Sequence, residues 1–279
     1  MICPAAGDAD LELCARVLAA VEGVQLSIDQ LRAVQERLLV HDAGCGYALV
    51  NHSSVAGSAY AMVRVFPSAR GQGIGSELAA AAAAAARRLG KESAWGVVGA
   101  DDPGSLRFVE SRGFPEIGRD VKLTRQLVPG EGRIGDAVAP LEDEHRAGAY
   151  AVAVAAIPDM VTAGQAEARP YEEWVEQELN DAAAAFVALR EGRVVGYATL
   201  QRLGDEPTRL EHGFTGVLPE CRRRGIATAL GDAQIAWAAA RGYTELFTTT
   251  GVTNSGLRRQ KAKLGYVEEA GPILVRGPV

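Results

Sequence analysis

Basic charge, paired cysteines and long apolar runs are all scarce in this chain of 279 residues. The formal net charge is −6, which argues against general nucleic-acid binding, because that needs a basic stripe to displace counterions. The four cysteines (Cys3, Cys14, Cys45, Cys221) form no C-x-x-C pair and no ligand-like spacing with the four histidines. Neither a disulfide framework nor a metal site is therefore expected. The alanine run near residue 82 falls far short of the ~20 apolar residues that a membrane span needs. The opening stretch, MICPAAGDADLELCARV, carries acids where a secretory leader needs a basic start. The expectation is a cytoplasmic chain, monomer or homodimer, without nucleic-acid or membrane partners. What is present is ordinary globular material, 48% hydrophobic and 23% charged, and long enough for two domains.

The chain repeats itself. FPSARGQGIGSEL (66–78) lies over LPECRRRGIATAL (218–230) at an offset of 152 residues. Pro67 falls on Pro219, Arg70 on Arg222, Gly73 on Gly225, Ile74 on Ile226, Ser76 on Thr228 and Leu78 on Leu230. Without a gap, Gly90 then meets Gly242, Gly113 meets Gly265 and Phe114 meets Tyr266. Two alanine-rich helices aligned by composition alone would not also match a downstream Gly-aromatic pair. Two copies of one domain follow, divided near QLVPGEGRIG at about residue 129, where proline and glycines punctuate the pattern. The copies are thus 1–129 and 130–279.

Within the second copy, EDEHRAGAYAVAVAA and PYEEWVEQEL read as helices. AAAFVALREGRVVGYATLQRL reads as two strands around Glu191-Gly192, and RLEHGFTGVL as a strand ended by Pro219. GIATALGDAQIAWAAARGY has helical spacing closed by Gly242. TELFTTTGV reads as a strand, NSGLRRQKAKLGY as a helix, and EEAGPILVRGPV as the last strand. The first copy follows the same order, with IDQLRAVQERLL taken as helical. Interleaved strands and helices make each copy an α/β domain.

The repeated loop runs from a strand through proline into a helix. The first turn of a helix leaves amides unpaired, and its dipole adds partial positive charge. Glycine allows a phosphate close approach to the backbone. Arg222, Arg223 and Arg224 add charge, and Thr228 or Ser76 can turn a hydroxyl to the same anion. The loop reads as a pyrophosphate cradle. It is no P-loop, because no Lys-Ser or Lys-Thr follows the last glycine. Nor is it a dinucleotide fingerprint, because Gly71, Gly73 and Gly75 are spaced G-x-G-x-G. The plain alternative is an ordinary turn with solvated arginines, which the repetition makes a poor account.

Pro-x-x-Arg-x-x-Gly-x-Gly/Ala after a strand, then a long helix, a strand, and an Asn- or Asp-led helix ending in Gly-Phe/Tyr, resembles the GNAT N-acetyltransferase superfamily in both halves of the chain. The tandem arrangement resembles mycothiol synthase-like proteins. This resemblance implies two tandem acyl-CoA N-acyltransferase domains, each a mixed, mostly antiparallel sheet flanked by helices. It implies acetyl-CoA (acetyl-coenzyme A) as donor and a small-molecule primary amine as acceptor. It implies that the loop from Arg222, with the amides of Arg223, Arg224, Gly225, Ile226, Ala227 and Thr228, holds the pyrophosphate. Val217 would bond the pantetheine arm from a strand splayed from its neighbour, and Asn254 would contact the coenzyme. The first-copy counterparts are Val65, Arg70, Gly71, Gln72, Gly73, Ile74, Gly75 and Ser76, with Asp102 in place of asparagine.

Residues two apart on a strand share a face, so counting back from Val217 through Thr215 and Gly213 puts Glu211 on the pantetheine side. There, eight residues before Pro219, it matches a glutamate that is general base in some family members; the plain alternative is a solvated strand glutamate. His212 should face away, unless a bulge reverses the assignment. The first copy has Ala59, Ala61 and Val63 on the equivalent face and no acid. The family's leaving-group tyrosine is replaced by Lys261 and Val109. Cys221 has no evident activating partner and reads as incidental. The acids of PYEEWVEQELND lie where the acceptor-side helix falls and would favour a cationic amine, or form a solvated face. The expected function is acetyl transfer from acetyl-CoA by the second copy, the first being degenerate. The alternatives are a non-catalytic acyl-CoA sensor, or the same fold with another acyl group.

Overall fold

The structure, a computed structural model, describes residues 1–53, 55–159, 167–180, 182–203 and 206–279. It divides into two units, Met1–Arg119 with Pro272–Val279, and Asp120–Gly271.

In the first unit, β1 (Ile2–Pro4), α1 (Asp8–Glu22), α2 (Ile28–Arg32), β2 (Leu38–His41), β3 (Gly46–His52) and β4 (Ser58–Val65) are followed by α3 (Ile74–Arg88), β5 (Ser93–Val98) and α4 (Pro103–Glu110). The sheet runs β1-β2-β3-β4-β5 and is completed beside β5 by residues 273–278. Only β4 and β5 are parallel. The helix expected over IDQLRAVQERLL ends at Arg32, capped at its start by the reciprocal Ser27–Gln30 bonds. Leu38–His41 is instead a strand, because all four residues are buried and paired on both edges. α3 buries Ile74, Leu78, Ala82 and Ala86. That four-residue spacing makes one stripe, and its alanines let the helix close on Ala48, Ala59 and Ala94.

The second unit begins within β6 (Glu116–Gln126). It continues through β7 (Val138–Pro140), α5 (Arg146–Ala156), α6 (Tyr171–Trp174, extended by a π-helical turn Val175–Asn180), β8 (Ala182–Arg190), β9 (Arg193–Arg202), β10 (Arg209–Val217), α7 (Ile226–Ala240), β11 (Glu245–Gly251) and α8 (Ser255–Lys263) to the start of β12 (Val267–Pro278). Its sheet order is β6-β11-β10-β9-β8-β7, with only β10 and β11 parallel. Glu191 and Gly192 both have positive φ, 52° and 75°, as a two-residue hairpin turn requires. A Cβ on Gly196 would meet Ile226 at 3.2 Å and Leu230 at 3.3 Å, whereas one on Gly216 would meet Val152 at 3.2 Å. α7 therefore covers one face of the sheet and α5 the other.

The segment GPILVRGPV was expected to close the second copy. Instead its residues 273–278 pair with β5 in the first unit, while residues 120–126, from the first copy, pair with β11. The sequence copies and the compact units therefore differ by these two segments.

Candidate active site

In each unit the two parallel strands part after three pairs. β10 and β11 pair at Arg209–Glu245, Leu210–Leu246 and Glu211–Phe247, and no further. β10 meanwhile stays on β9 as far as Val217–Gly196. Leu218 donates its amide to the Val195 carbonyl at 2.9 Å. The alternation of an antiparallel ladder then turns the amide and carbonyl of Val217 to the open edge, and Arg222 Nε donates to that carbonyl at 3.0 Å. β4 and β5 behave alike, pairing only at Ser58–Ser93, Ala59–Ala94 and Tyr60–Trp95. Phe66 donates to Cys45 at 2.9 Å, which puts Val65 on the open edge.

Past each fork, a single 3-10 turn (Pro67–Ala69, Pro219–Cys221) leads into the repeated loop. Gly71 and Gly73 have φ of 78° and 87°, and Arg223 and Gly225 have 58° and 81°. Two left-handed residues one apart curl the backbone so that amides face inward, and the helix follows at once. Among the described residues, Ala229 is the first of α7 to donate within its own turn, to Gly225 at 2.9 Å. In α3 that residue is Ser76, to Gly73 at 2.9 Å. The amides of Ile226, Ala227 and Thr228, and of Ile74 and Gly75, thus remain available. A Cβ on Gly71, Gly73 or Gly225 would meet nothing within 4 Å, so the approach to the loop is open. These features fit a diphosphate, whose oxygens accept from such amides. Arg223 is left-handed without being glycine, a strain of ~1–2 kcal/mol of the kind held at binding sites.

The predicted side chains divide by role. Arg223 and Arg224 are exposed. Arg222 is committed to Val217 and to Asp159, whose Oδ2 lies 2.5 Å from Nη1. Arg70 leans on Asp102 at 3.5 Å, Gln72 on the Ser68 carbonyl at 3.5 Å, and Ser76 accepts from Arg112 at 2.6 Å. Asn254 and Asp102 are helix N-caps, accepting from Leu257 at 3.2 Å and Ser105 at 2.9 Å. Cys221 is buried in the core against α7.

The facing of Glu211 is corrected by a bulge. His212 pairs with Leu200, but Thr215 pairs with Ala198, so β10 has one residue more than β9 between these points. Upstream parity inverts. Val217, Thr215, His212 and Leu210 face α7, and Glu211 lies on the other face, opposite Gln201 and Phe247. On that face, two residues on, Arg209 pairs with Glu245 at 2.6 Å. Glu211 is half-buried, and burial raises its carboxyl above the usual glutamate value. β4 pairs with β3 without any such shift. Its last residue before the fork is Tyr60, so Tyr60, and not Ala59, takes the place of Glu211. Tyr60 packs edge-on against Trp95 at 4.9 Å, and Arg64 on the same face is paired with Glu22.

The α7 side of the fork holds a buried polar chain that spacing did not foretell. Gln234 Nε2 donates to the Thr199 carbonyl at 2.8 Å, which leaves its Oε1 as acceptor from His212 Nδ1 at 3.0 Å. His212 Nε2 then accepts from the Tyr266 hydroxyl at 2.5 Å. The bonding places a proton on Nδ1 and suits the neutral Nδ1–H tautomer. Desolvation by burial, then the neighbouring Lys261, holds the imidazole well below its ordinary pKa. Burial likewise raises Tyr266 and lowers Lys261 well below the usual lysine value. Lys261 is 1% exposed, its Nζ has no hydrogen-bond partner among the described residues, and it lies 4.7 Å from the Tyr266 ring centroid.

Sequence reasoning also missed Glu178. It sits in the π-helical turn among acids read as a solvated face, yet its Oε1 accepts from Thr199 Oγ1 at 2.8 Å and from the Phe214 amide at 3.0 Å. Asp181, the last acid of that stretch, lies outside the described residues. Among the described residues no helix is long and apolar enough to cross a membrane.

The model of the acetyltransferase (GNAT) family matches residues 34–114 and 151–266, more than half of the chain. No curated protein matches in sequence. Among solved structures, a GCN5-related N-acetyltransferase from Sphaerobacter thermophilus is 20% identical with a TM-score of 0.76, over 100% of this chain and 95% of that one. A tandem GNAT protein from the clavulanic acid biosynthesis pathway is 18% identical with a TM-score of 0.75, over 97% and 94%. A glucosamine N-acetyltransferase region of a fungal multi-domain β-N-acetylglucosaminidase is 17% identical with a TM-score of 0.73, over 99% of this chain and 38% of that one. At these identities the likeness is one of fold.

Proposed function

This chain belongs to the GNAT acetyltransferase family, and from that premise we propose that its second copy (130–279) moves an acetyl group from acetyl-CoA to the primary amine of a small molecule by direct attack. The observation that carries the reading is the fork. Glu211 is the last residue of β10 paired to β11, and the open amides of Ile226 to Thr228 stand beyond the far end of the edge left open. Bound there, the coenzyme supplies an activated acyl thioester. Val217 offers its amide along the open edge, the α7 N-terminus receives the diphosphate, and Arg223 and Arg224 attract it from solvent.

Glu211 takes the proton of the incoming ammonium, and burial raises its proton affinity above that of an ordinary glutamate, which favours that role. The freed amine would bond to the acyl carbon, the carbon–sulfur bond would break with its electron pair on sulfur, the nitrogen would give its remaining extra proton to water, and the thiolate would take a proton from water in turn. In the first copy (1–129), Tyr60 occupies the base's place, so we infer coenzyme binding there without proton removal. A binding or sensing role for the whole chain is favoured by one feature: Lys261 and Val109 stand where the family has its leaving-group tyrosine, and Lys261 is buried.

Release of free thiol from acetyl-CoA, followed with a panel of small amines that includes amino sugars, separates the readings. Transfer to any of them supports the enzyme. Thermal stabilisation by acetyl-CoA without thiol release would make this a binding protein. The same assay with succinyl- and longer acyl-coenzymes defines the donor.

A further inference from the structure

We propose that Glu178 is a positioning residue: its carboxylate latches the β10 bulge and so keeps Glu211 on the face opposite α7. The catalytic consequence rests on the function proposed above; the latch itself does not. A bulge breaks the ladder and leaves backbone groups to be satisfied elsewhere. Here the freed amide is that of Phe214, which donates to Glu178 Oε1 at 3.0 Å and to Thr199 Oγ1 at 3.1 Å. Thr199 Oγ1 in turn donates to the same carboxylate oxygen at 2.8 Å, and Gln201 Nε2 to the Glu178 carbonyl at 3.1 Å. Gly213, beside the latch, has no room for a side chain, because a Cβ there would overlap Thr199 Oγ1.

The alternative register shows what the latch excludes. If β10 slipped by one residue, every side chain upstream would change face. Glu211 would enter the pocket of Gln234 and Tyr266, and His212 would leave it. Adjacent residues always take opposite faces, and the bulge decides that the histidine faces α7 and the acid does not. β4 supplies the contrast, having neither the register shift nor an acid at the corresponding place. Glu178 stands in a π-helical turn, a distortion found often at functional sites.

The test uses the full chain with Glu178→Ala and Glu178→Gln, read by carbon-13 titration of the Glu211 carboxyl, hydrogen exchange of the Phe214 amide, and kcat against KM. Among the described residues, the charged groups on neighbouring positions of the same strands are Arg209, which pairs with Glu245, and Lys122, over the Phe247 ring. None of these is altered. In Glu178→Ala, Phe214 should exchange at least about tenfold faster, and the Glu211 titration should move from its raised position. kcat should fall about a hundredfold, as misplacement of a catalytic group does, with the coenzyme KM changed no more than about twofold. Glu178→Gln keeps an acceptor oxygen and should restore wild-type behaviour in every reading.

Wild-type exchange and titration in Glu178→Ala would overturn the latch. So would a Glu178→Gln protein as impaired as the alanine variant, since charge and not bond acceptance would then matter. Should Glu178→Ala fail to fold, Thr199→Val beside Glu178→Gln yields the same exchange and titration readings. Absence of acyl transfer in the wild type would defeat the proposed function, while exchange and titration would still decide the latch.

Discussion

Glu211 lies half-buried between Gln201 and Phe247, and burial holds its proton more tightly than an exposed carboxyl would. In the proposed mechanism the deprotonated form is the base, so kcat/KM should rise with pH through a limb set above the ordinary glutamate value. Glu211→Gln should flatten that limb and lower kcat by about 10²–10⁴-fold, while calorimetry finds coenzyme affinity unchanged. A wild-type rate in Glu211→Gln would remove it from the mechanism. Sequence singled out the residue as a candidate but put it on the wrong face. Alternation counted back from Val217 assumes an unbroken ladder, and the bulge is stabilised by Glu178, which is distant in sequence. Lys261 carries the other prediction at this scale. Its folded pKa is depressed by burial, so between that value and the unfolded value near 10.4 the unfolded chain binds the extra proton. Stability should therefore rise with pH across that window and level off at its lower value beneath it. Lys261→Met keeps an unbranched side chain and removes the unpartnered amine. Burying such a group costs about 1–3 kcal/mol, so Tm at neutral pH should rise by several degrees and the pH dependence should flatten in thermal melts between pH 7 and 10.

The loop between strand and helix is the element that the sequence displayed most openly, because its shape is made by local backbone chemistry. Gly73 and Gly225 must be left-handed, and a proline ends each preceding strand. Spacing alone conveys both facts. Less legible was Arg223, the counterpart of Gly71, which takes the same left-handed shape with a side chain. The short strand Leu38–His41 was hidden for a different reason. Four apolar or half-apolar residues in a row show no period, and only pairing on both edges makes them a strand. The loops can be tested separately. Valine is β-branched and resists positive φ, so Gly225→Val should unmake the second cradle, and Gly73→Val the first. Calorimetric titration with coenzyme A should find two sites per chain in the wild type and one in either variant. Arg223→Gly should retain both sites, because glycine keeps the curl, and should raise stability by about 1 kcal/mol as the strain is relieved. Two sites persisting in Gly225→Val would show that the helix amides there do not hold the ligand.

At the scale of the whole chain, duplication was plain in sequence and the distribution of strands was not. Periodicity identifies a strand without naming its partner, and register is decided by pairing that no local pattern encodes. Residues 272–279 count with the first unit and 120–126 with the second, although a cut near residue 129 gives each segment to the other copy. The edge of β5 is covered by six residues, Ile273 to Pro278, and Ile273 and Val275 are buried there against Val98. The edge of β11 is covered over its full length by 120–126, which brings Val121 and Leu123 into the core with Leu210 and Leu246. A fragment ending at 129 therefore lacks the strand that closes its sheet, and a fragment beginning at 130 lacks the other. An uncovered strand edge invites pairing with another chain, and each buried Ile, Leu or Val lost from the core forgoes ~1.5–3 kcal/mol. Expressed singly, 1–129 and 130–279 should each aggregate or remain expanded. Co-expressed, they should assemble with the circular dichroism and hydrodynamic radius of the intact chain. Deletion of 272–279 from the intact chain should speed hydrogen exchange in β5 and leave β11 protected. A monomeric, cooperatively melting 1–129 would mean that residues 120–126 can fold back on β5, and that the exchange of strands is a choice between near-equal pairings instead of a requirement of the fold.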